Sequence, residues 1–129
     1  MADLMTDPTP EECAAAAAII AKQNDTFRTN ILHGATPDTP PGKVVVTQGI
    51  EGRGAAFRIR VVRAVAAFDA FTEENDPHGE HDFGSVEIEG VKVWFKIDLY
   101  DADFAYGSPE PTDPEQTRRV LTVLLPEEW

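Results

Sequence analysis

Gly84-Ser85-Val86-Glu87-Ile88-Glu89-Gly90-Val91-Lys92-Val93-Trp94-Phe95-Lys96-Ile97-Asp98-Leu99-Tyr100 is the stretch from which the fold is read. Two alternating runs flank Glu89-Gly90, a two-residue connection suited to a tight hairpin in which Gly90 takes positive φ. The register follows from the turn: Ile88 faces Val91, Glu87 faces Lys92, Val86 faces Val93 and Ser85 faces Trp94. Val86, Ile88, Val91, Val93, Phe95 and Ile97 then share one apolar face, and Glu87 with Lys92 makes an opposite-charge pair on the other. Turn chemistry and side-chain alternation thus agree on one pairing.

On the C-terminal side of the hairpin, Asp103 to Gln116 is rich in Pro, Gly, Ser and Asp and reads as a loop, held by side chains or mobile. Arg119 to Leu125 reads as a final strand that Pro126 ends. Toward the N-terminus, Ala55 to Phe71 places Phe57, Val61, Ala64, Val65, Phe68 and Phe71 at helical spacing. Arg53, Arg58, Arg60 and Arg63 sit toward its N-terminal half, opposing the helix dipole, so an acidic neighbour is expected there, in this chain or a partner. Gly49 to Gly54 is a turn, and the β-branched run Lys43 to Gln48 is a strand buried on at least one face. His33 to Gly42 is a loop. Thr9 as N-cap, Pro10 at the first helical position and Glu12 reaching back start a helix running to about Leu32, with Ile19, Ile20, Phe27 and Ile31 as its apolar stripe. The expected fold is α+β: two helices packed on a small mixed or antiparallel sheet of about four strands, including a central β-hairpin. Residues 1–8 are expected as a flexible tail and 9–129 as a single domain.

A chain of 129 residues is long enough to bury one core without staples. Cys13 is the lone cysteine, so no intramolecular disulfide forms, and its Ala-rich surroundings suggest a buried structural thiol. No apolar run reaches membrane-spanning length, and the N-terminus lacks the basic start of a secretory signal, which points to a cytoplasmic chain. The net charge is −12. All of it lies between Asp69 and Glu115, where fourteen acids meet only Lys92 and Lys96; the rest of the chain is neutral. Such a charge disfavours direct binding to nucleic acid or anionic lipid and suits a basic protein partner or a metal ion. A solvated, solubilising surface is the plainer reading of the same acids.

Carried past Ser85 and Trp94, the register sets Phe83 opposite Lys96 and His81 opposite Asp98, with His78 and Asp101 near the same end. His78, His81, Asp82, Asp98 and Asp101 then form a candidate set for a divalent transition metal such as Zn, Mn, Fe or Ni, since imidazole and carboxylate suit those ions. Without metal, His81 oriented by Asp98 could act as a general base, making these two the catalytic candidates of a small enzyme. The simpler alternative is that His81, Asp82 and Asp98 cap turns and bond one another. The same end offers a recognition surface of Glu80, Asp82, Phe83, Trp94, Asp98, Tyr100, Asp101 and Asp103, in which aromatics supply contact area and acids select a basic partner. A covering helix or loop over Trp94 would argue against it. Asp82-Phe83-Gly84 copies a kinase triplet in a chain too short for a kinase, and Gly49 to Gly54 lacks the Gly-Lys-Ser/Thr ending of a phosphate loop.

Asn24, Asp25, Phe27 and Arg28; Ala67 to Phe71; Asn75-Asp76-Pro77-His78-Gly79-Glu80-His81-Asp82-Phe83-Gly84; Trp94, Lys96, Ile97 and Asp98; and Tyr106 to Pro111 together resemble a bacterial domain family of unknown function often carried on plasmids and other mobile elements. The resemblance runs from about Ala21 to the C-terminus and implies no established activity or cofactor. Genes on mobile elements often encode small acidic inhibitors of host defence, some of which imitate DNA phosphates. By that analogy of charge and habit, binding is expected over catalysis: an anti-restriction or anti-CRISPR type of module docking as a DNA mimic on a basic nucleic-acid-binding defence protein.

Overall fold

Glu89 and Gly90 both adopt left-handed backbone, with φ of 54° and 80°, the conformation that matches a two-residue turn to the twist of its strands. The computed structural model describes residues 7–34 and 36–129. Of the expected tail only Asp7 and Pro8 fall within that range, both exposed, and the rest of it lies outside the described residues. The elements are α1 (Pro10–Thr29), β1 (Gly42–Val46), the short α2 (Gln48–Glu51), α3 (Ala55–Ala67), β2 (Phe83–Ile88), β3 (Val91–Tyr100), β4 (Arg118–Leu124) and a closing 3-10 turn (Pro126–Glu128).

β2 and β3 pair in the register read from the sequence, from Ile88 with Val91 to Phe83 with Lys96. β4 runs antiparallel to β3, and β1 lies parallel to β4, giving a mixed sheet in the order β1-β4-β3-β2. One face buries Val93, Phe95, Ile97, Leu121 and Val123 against Phe27 of α1 and Phe57, Val61 and Val65 of α3. Each such side chain contributes about 1.5–3 kcal/mol by leaving water. The fold is therefore α+β, with both long helices on one side of a four-stranded sheet. None of the described helices is long and apolar enough to cross a membrane.

Several boundaries differ from the sequence reading. α1 opens as expected, with Thr9 Oγ1 accepting from Glu12 N–H at 3.1 Å, but it ends at Thr29 and leaves Ile19 exposed. Its buried face is Ile20, Ala21, Asn24, Phe27 and Arg28, so two polar residues occupy core positions. Cys13 is exposed, because the first turns of α1 project beyond the core. β1 is an exposed edge strand; only Val46 is partly buried, since a strand at the sheet margin has one neighbour. α3 stops at Ala67, where Arg28 Nη1 donates to Val65 O at 2.9 Å and to Ala66 O at 3.2 Å, taking carbonyls that a helix end leaves open. Phe68 and Phe71 leave the helix yet still pack on the core, their rings edge to face at 4.8 Å. The arginines of α3 do find acids: Arg58 bonds Glu51, outside the acidic segment, and Arg60 bonds Glu89, within it.

Candidate functional site

The Asn75 to Gly84 string folds as a self-bonded loop. Asn75 Oδ1 accepts from Thr72 N–H at 2.8 Å and its Nδ2 donates to Ala70 O at 2.9 Å. Gly79, at φ 69°, donates its N–H to Asp76 O, and the buried Asp76 carboxylate accepts the His81 N–H through both oxygens at 3.2 Å. His81 is thereby held at φ 55°, a conformation that non-glycine residues adopt at a cost. At this residue the chain leaves the strand path.

That turn corrects the expected pairing of His81 with Asp98. β2–β3 pairing ends at Phe83 with Lys96, extended by one bond from Ile97 N–H to Asp82 O at 2.9 Å. Asp98 pairs with Val120 of β4 instead, and its carboxylate accepts from Lys96 Nζ at 2.8 Å. His81 turns toward α1. Its Nδ1 lies 2.9 and 3.0 Å from the two oxygens of Asp25, its Nε2 lies 3.7 Å from Asp76 Oδ2, and its ring stacks on Phe71 at 4.0 Å with an interplanar angle of 4°. Arg28 Nη2 donates to the same Asp25 at 2.9 Å while its guanidinium lies over the Phe71 and Phe95 rings. Nδ1 is thus engaged by Asp25, whereas Nε2, at 3.7 Å from Asp76, lies beyond hydrogen-bond reach.

Three consecutive side chains of α1 fasten the surrounding loops. Gln23 Nε2 donates to Thr112 O, Asn24 Nδ2 donates to Glu80 O, both at 2.9 Å, and Asp25 takes His81. The oxygens of Gln23 and Asn24 accept from buried Arg119 Nη2 and Nε at 2.8 Å. Burial of Arg119 lowers its pKa to about 10. The role of Asp25 was missed because a lone aspartate on a helix carries no pairing signal; the hint available was a polar pair, Asn24-Asp25, interrupting the apolar face.

The remaining candidates spread over one end of the sheet. His78 is exposed in the loop. Asp101 Oδ1 accepts from the Asp103 and Ala105 N–H groups, so both aspartates belong to the turn after β3. Among the described residues no group of three or more His, Cys, Asp or Glu side chains is placed to hold a metal ion, and His81 has turned away from Asp98 to Asp25. What does gather is a set of carboxylates. Burial, then the neighbouring Asp82 and Asp76, raise the pKa of Glu80, with His78 opposing. Burial likewise raises that of Asp82, with Asp76 and Asp98 adding and its own backbone N–H and His78 opposing.

Beside them, Phe83, Trp94 and Trp129 meet edge to face at 5.4 to 6.1 Å on the sheet face turned away from the helices. Trp94 is half-buried, covered in part by the C-terminal turn, while Trp129 is 71% exposed. Glu128 anchors that turn: its carboxylate accepts from Thr47 Oγ1, from Gly49 N–H at 2.9 Å and from Leu125 N–H at 2.8 Å. Trp129 follows a proline break and has no periodic partner in the sequence, so pattern reading did not find it. Tyr100 is half-buried at the far end of the same face, where it bridges to Gly107.

A protein-family model described as Protein of unknown function (DUF3768) matches residues 46–128. No curated protein and no solved structure matches the chain. The family match takes in the Asn75 to Gly84 loop, the hairpin and the C-terminal turn, while Asp25 and Arg28, which hold that loop, lie before it.

Proposed function

The chain belongs to the DUF3768 family, and from that premise we propose that it is an acidic protein-binding module whose docking site is the loop end of the sheet. One observation carries this reading: Glu80 and Asp82 are carboxylates whose pKa values are raised first by partial burial and then by neighbouring acids, Asp82 and Asp76 for Glu80, Asp76 and Asp98 for Asp82. Lys96 pairs with Asp98, and His78 only partly offsets the crowding at Glu80 and Asp82. A guanidinium or ammonium from a partner would relieve that crowding, and a charge-assisted bond to a carboxylate stabilises more than a neutral one. Phe83, Trp94 and the exposed Trp129 adjoin the acids and supply the apolar area that charge alone does not.

The finer form of the proposal is that the partner is a basic nucleic-acid-binding protein of host defence, with the carboxylates imitating phosphates. The concentration of the whole net charge of −12 in residues 69–115 supports it. The test is a titration of a purified restriction nuclease or CRISPR effector, followed by tryptophan fluorescence at about 50 and about 300 mM salt. Affinity is expected to fall by a factor of ten or more between the two, as it does for ligands held by several charge contacts, and duplex DNA should compete. Affinity that stays flat with salt, or binding indifferent to DNA, would reject the mimic; loss of binding in Trp94→Ala with Glu80→Gln and Asp82→Asn silent would move the site to the aromatic face alone.

A further inference from the structure

Among the described residues β1 pairs with β4 and with no other strand, so one side of it is an open sheet edge. Pro41 O accepts from Arg119 N–H, and Thr47 N–H donates to Val123 O, so residues 41 and 47 turn toward β4. In a parallel ladder the direction alternates, which turns Lys43 and Val45 toward β4 as well and points the N–H and C=O groups of Gly42, Val44 and Val46 outward. Val44 and Val45 are each 39% exposed, and a shallow groove lined by Phe27, Ile31, Pro40 and Val44 runs beside them. A flat, β-branched edge of this kind is a template for another strand.

The charge distribution selects the occupant. We propose that β1 is the two-fold interface of a homodimer, pairing antiparallel with β1 of a second copy to make one continuous eight-stranded sheet. Two chains of charge −12 repel unless they meet through a neutral surface, and the part of the chain outside residues 69–115 is neutral. β1 and β2 occupy opposite margins of the sheet. Three strand spacings of about 4.8 Å put the acids of β2 roughly 14 Å from β1, beyond the screening length of about 8 Å at physiological salt, while β3 and the loop after it lie nearer. Where the acidic loop after β3 approaches this edge, it presents Phe104, whose ring lies 4.6 Å from Lys43 Nζ. A two-fold centred on Val44 lays Val44 against Val44 of the partner subunit, and Lys43 then faces a valine rather than a second lysine. The dimer would carry its two acidic ends outward, a surface separate from the docking site proposed above and independent of it.

Sedimentation equilibrium of the full chain from about 10 µM to about 1 mM tests the idea, a range suited to an interface as small as one strand pair. A monomer–dimer equilibrium is expected, stopping at the dimer and tightening as salt screens the residual repulsion. Val44→Pro removes an outward N–H without touching the β4 ladder, and Val44→Lys places two like charges at the axis; each should weaken association at least tenfold while circular dichroism and Tm show a retained fold. A wild-type monomer across the whole range, assemblies larger than a dimer, or a dimer that survives both variants but dissociates in Trp94→Ala would overturn the proposal.

Discussion

Asp25 of α1 and His81, fifty-six residues apart, meet through two contacts at 2.9 and 3.0 Å, and this pair fixes the most distinctive loop of the chain to a helix rather than to the hairpin it precedes. Its cost of removal should be modest for the Asp25 contact, since both side chains are about a third exposed, and larger for the ring stacked on Phe71. His81→Ala is expected to lower stability by about 1–2 kcal/mol in urea unfolding, and Asp25→Asn by less than about 1 kcal/mol. His81→Gly should recover part of the loss of His81→Ala, because the backbone there is left-handed. Equal stability of the Ala and Gly variants would show that the φ of 55° stores no strain.

Gly84 ends the same loop for a different reason. A Cβ there would strike the Phe95 ring and crowd Phe68, both core residues, so the close approach requires glycine. Gly84→Ala should cost about 2–4 kcal/mol through overpacking. Gly79 has open space around it but a φ of 69°, so Gly79→Ala should cost only about 1 kcal/mol. A reversed order in thermal unfolding would contradict the packing described around β2.

The hairpin was legible because Glu89-Gly90 and the alternation of valines fix one register independently, and local rules govern both. The class of the fold followed from it. The buried face of α1 was not legible, since Asn24 and Arg28 are polar residues made internal by partners distant in sequence: Glu80 O and Arg119 for one, Val65 O and Ala66 O for the other. The candidate site failed at one residue for a related reason. Extending a strand register assumes extended backbone, and Asp76 gathering the His81 N–H overrides it. Carboxylate crowding at Glu80 and Asp82 was foreseen only as a density of acids; which of them leave water depends on the loop.

Arg28 is the next point of leverage. It is almost fully buried, donates to two carbonyls at the end of α3, pairs with Asp25 and lies over two aromatic rings. Arg28→Met keeps volume but leaves the Val65 and Ala66 carbonyls without that donor, for an expected loss of about 2–4 kcal/mol. Hydrogen exchange should localise the loss to the last turn of α3 and to residues 72–82. Uniform loss of protection across the sheet would instead mean that Arg28 supports the core as a whole.

Stability against pH separates the two kinds of carboxylate. Glu80 and Asp82 have raised pKa values in the fold, so the folded chain holds more protons than the unfolded one. Their stabilising contribution is complete below their ordinary values of 4.5 and 3.8 and is lost as pH rises through the raised ones. Glu128 is lowered, chiefly by the Thr47 hydroxyl and then the Leu125 N–H, so its contribution is present above 4.5 and lost as pH falls through its lowered value. Glu80→Gln with Asp82→Asn should therefore raise Tm by a few degrees, on the order of 4 °C, at pH 7, and the gain should vanish near pH 3. Glu128→Gln should lower Tm at pH 7 and expose Trp129 further, seen as a red-shifted emission. If the double variant also loses affinity for a basic partner while gaining stability, the crowded carboxylates are maintained at a cost to the fold because they bind. A double variant no more stable than the parent at pH 7 would remove the crowding on which the proposed docking site rests.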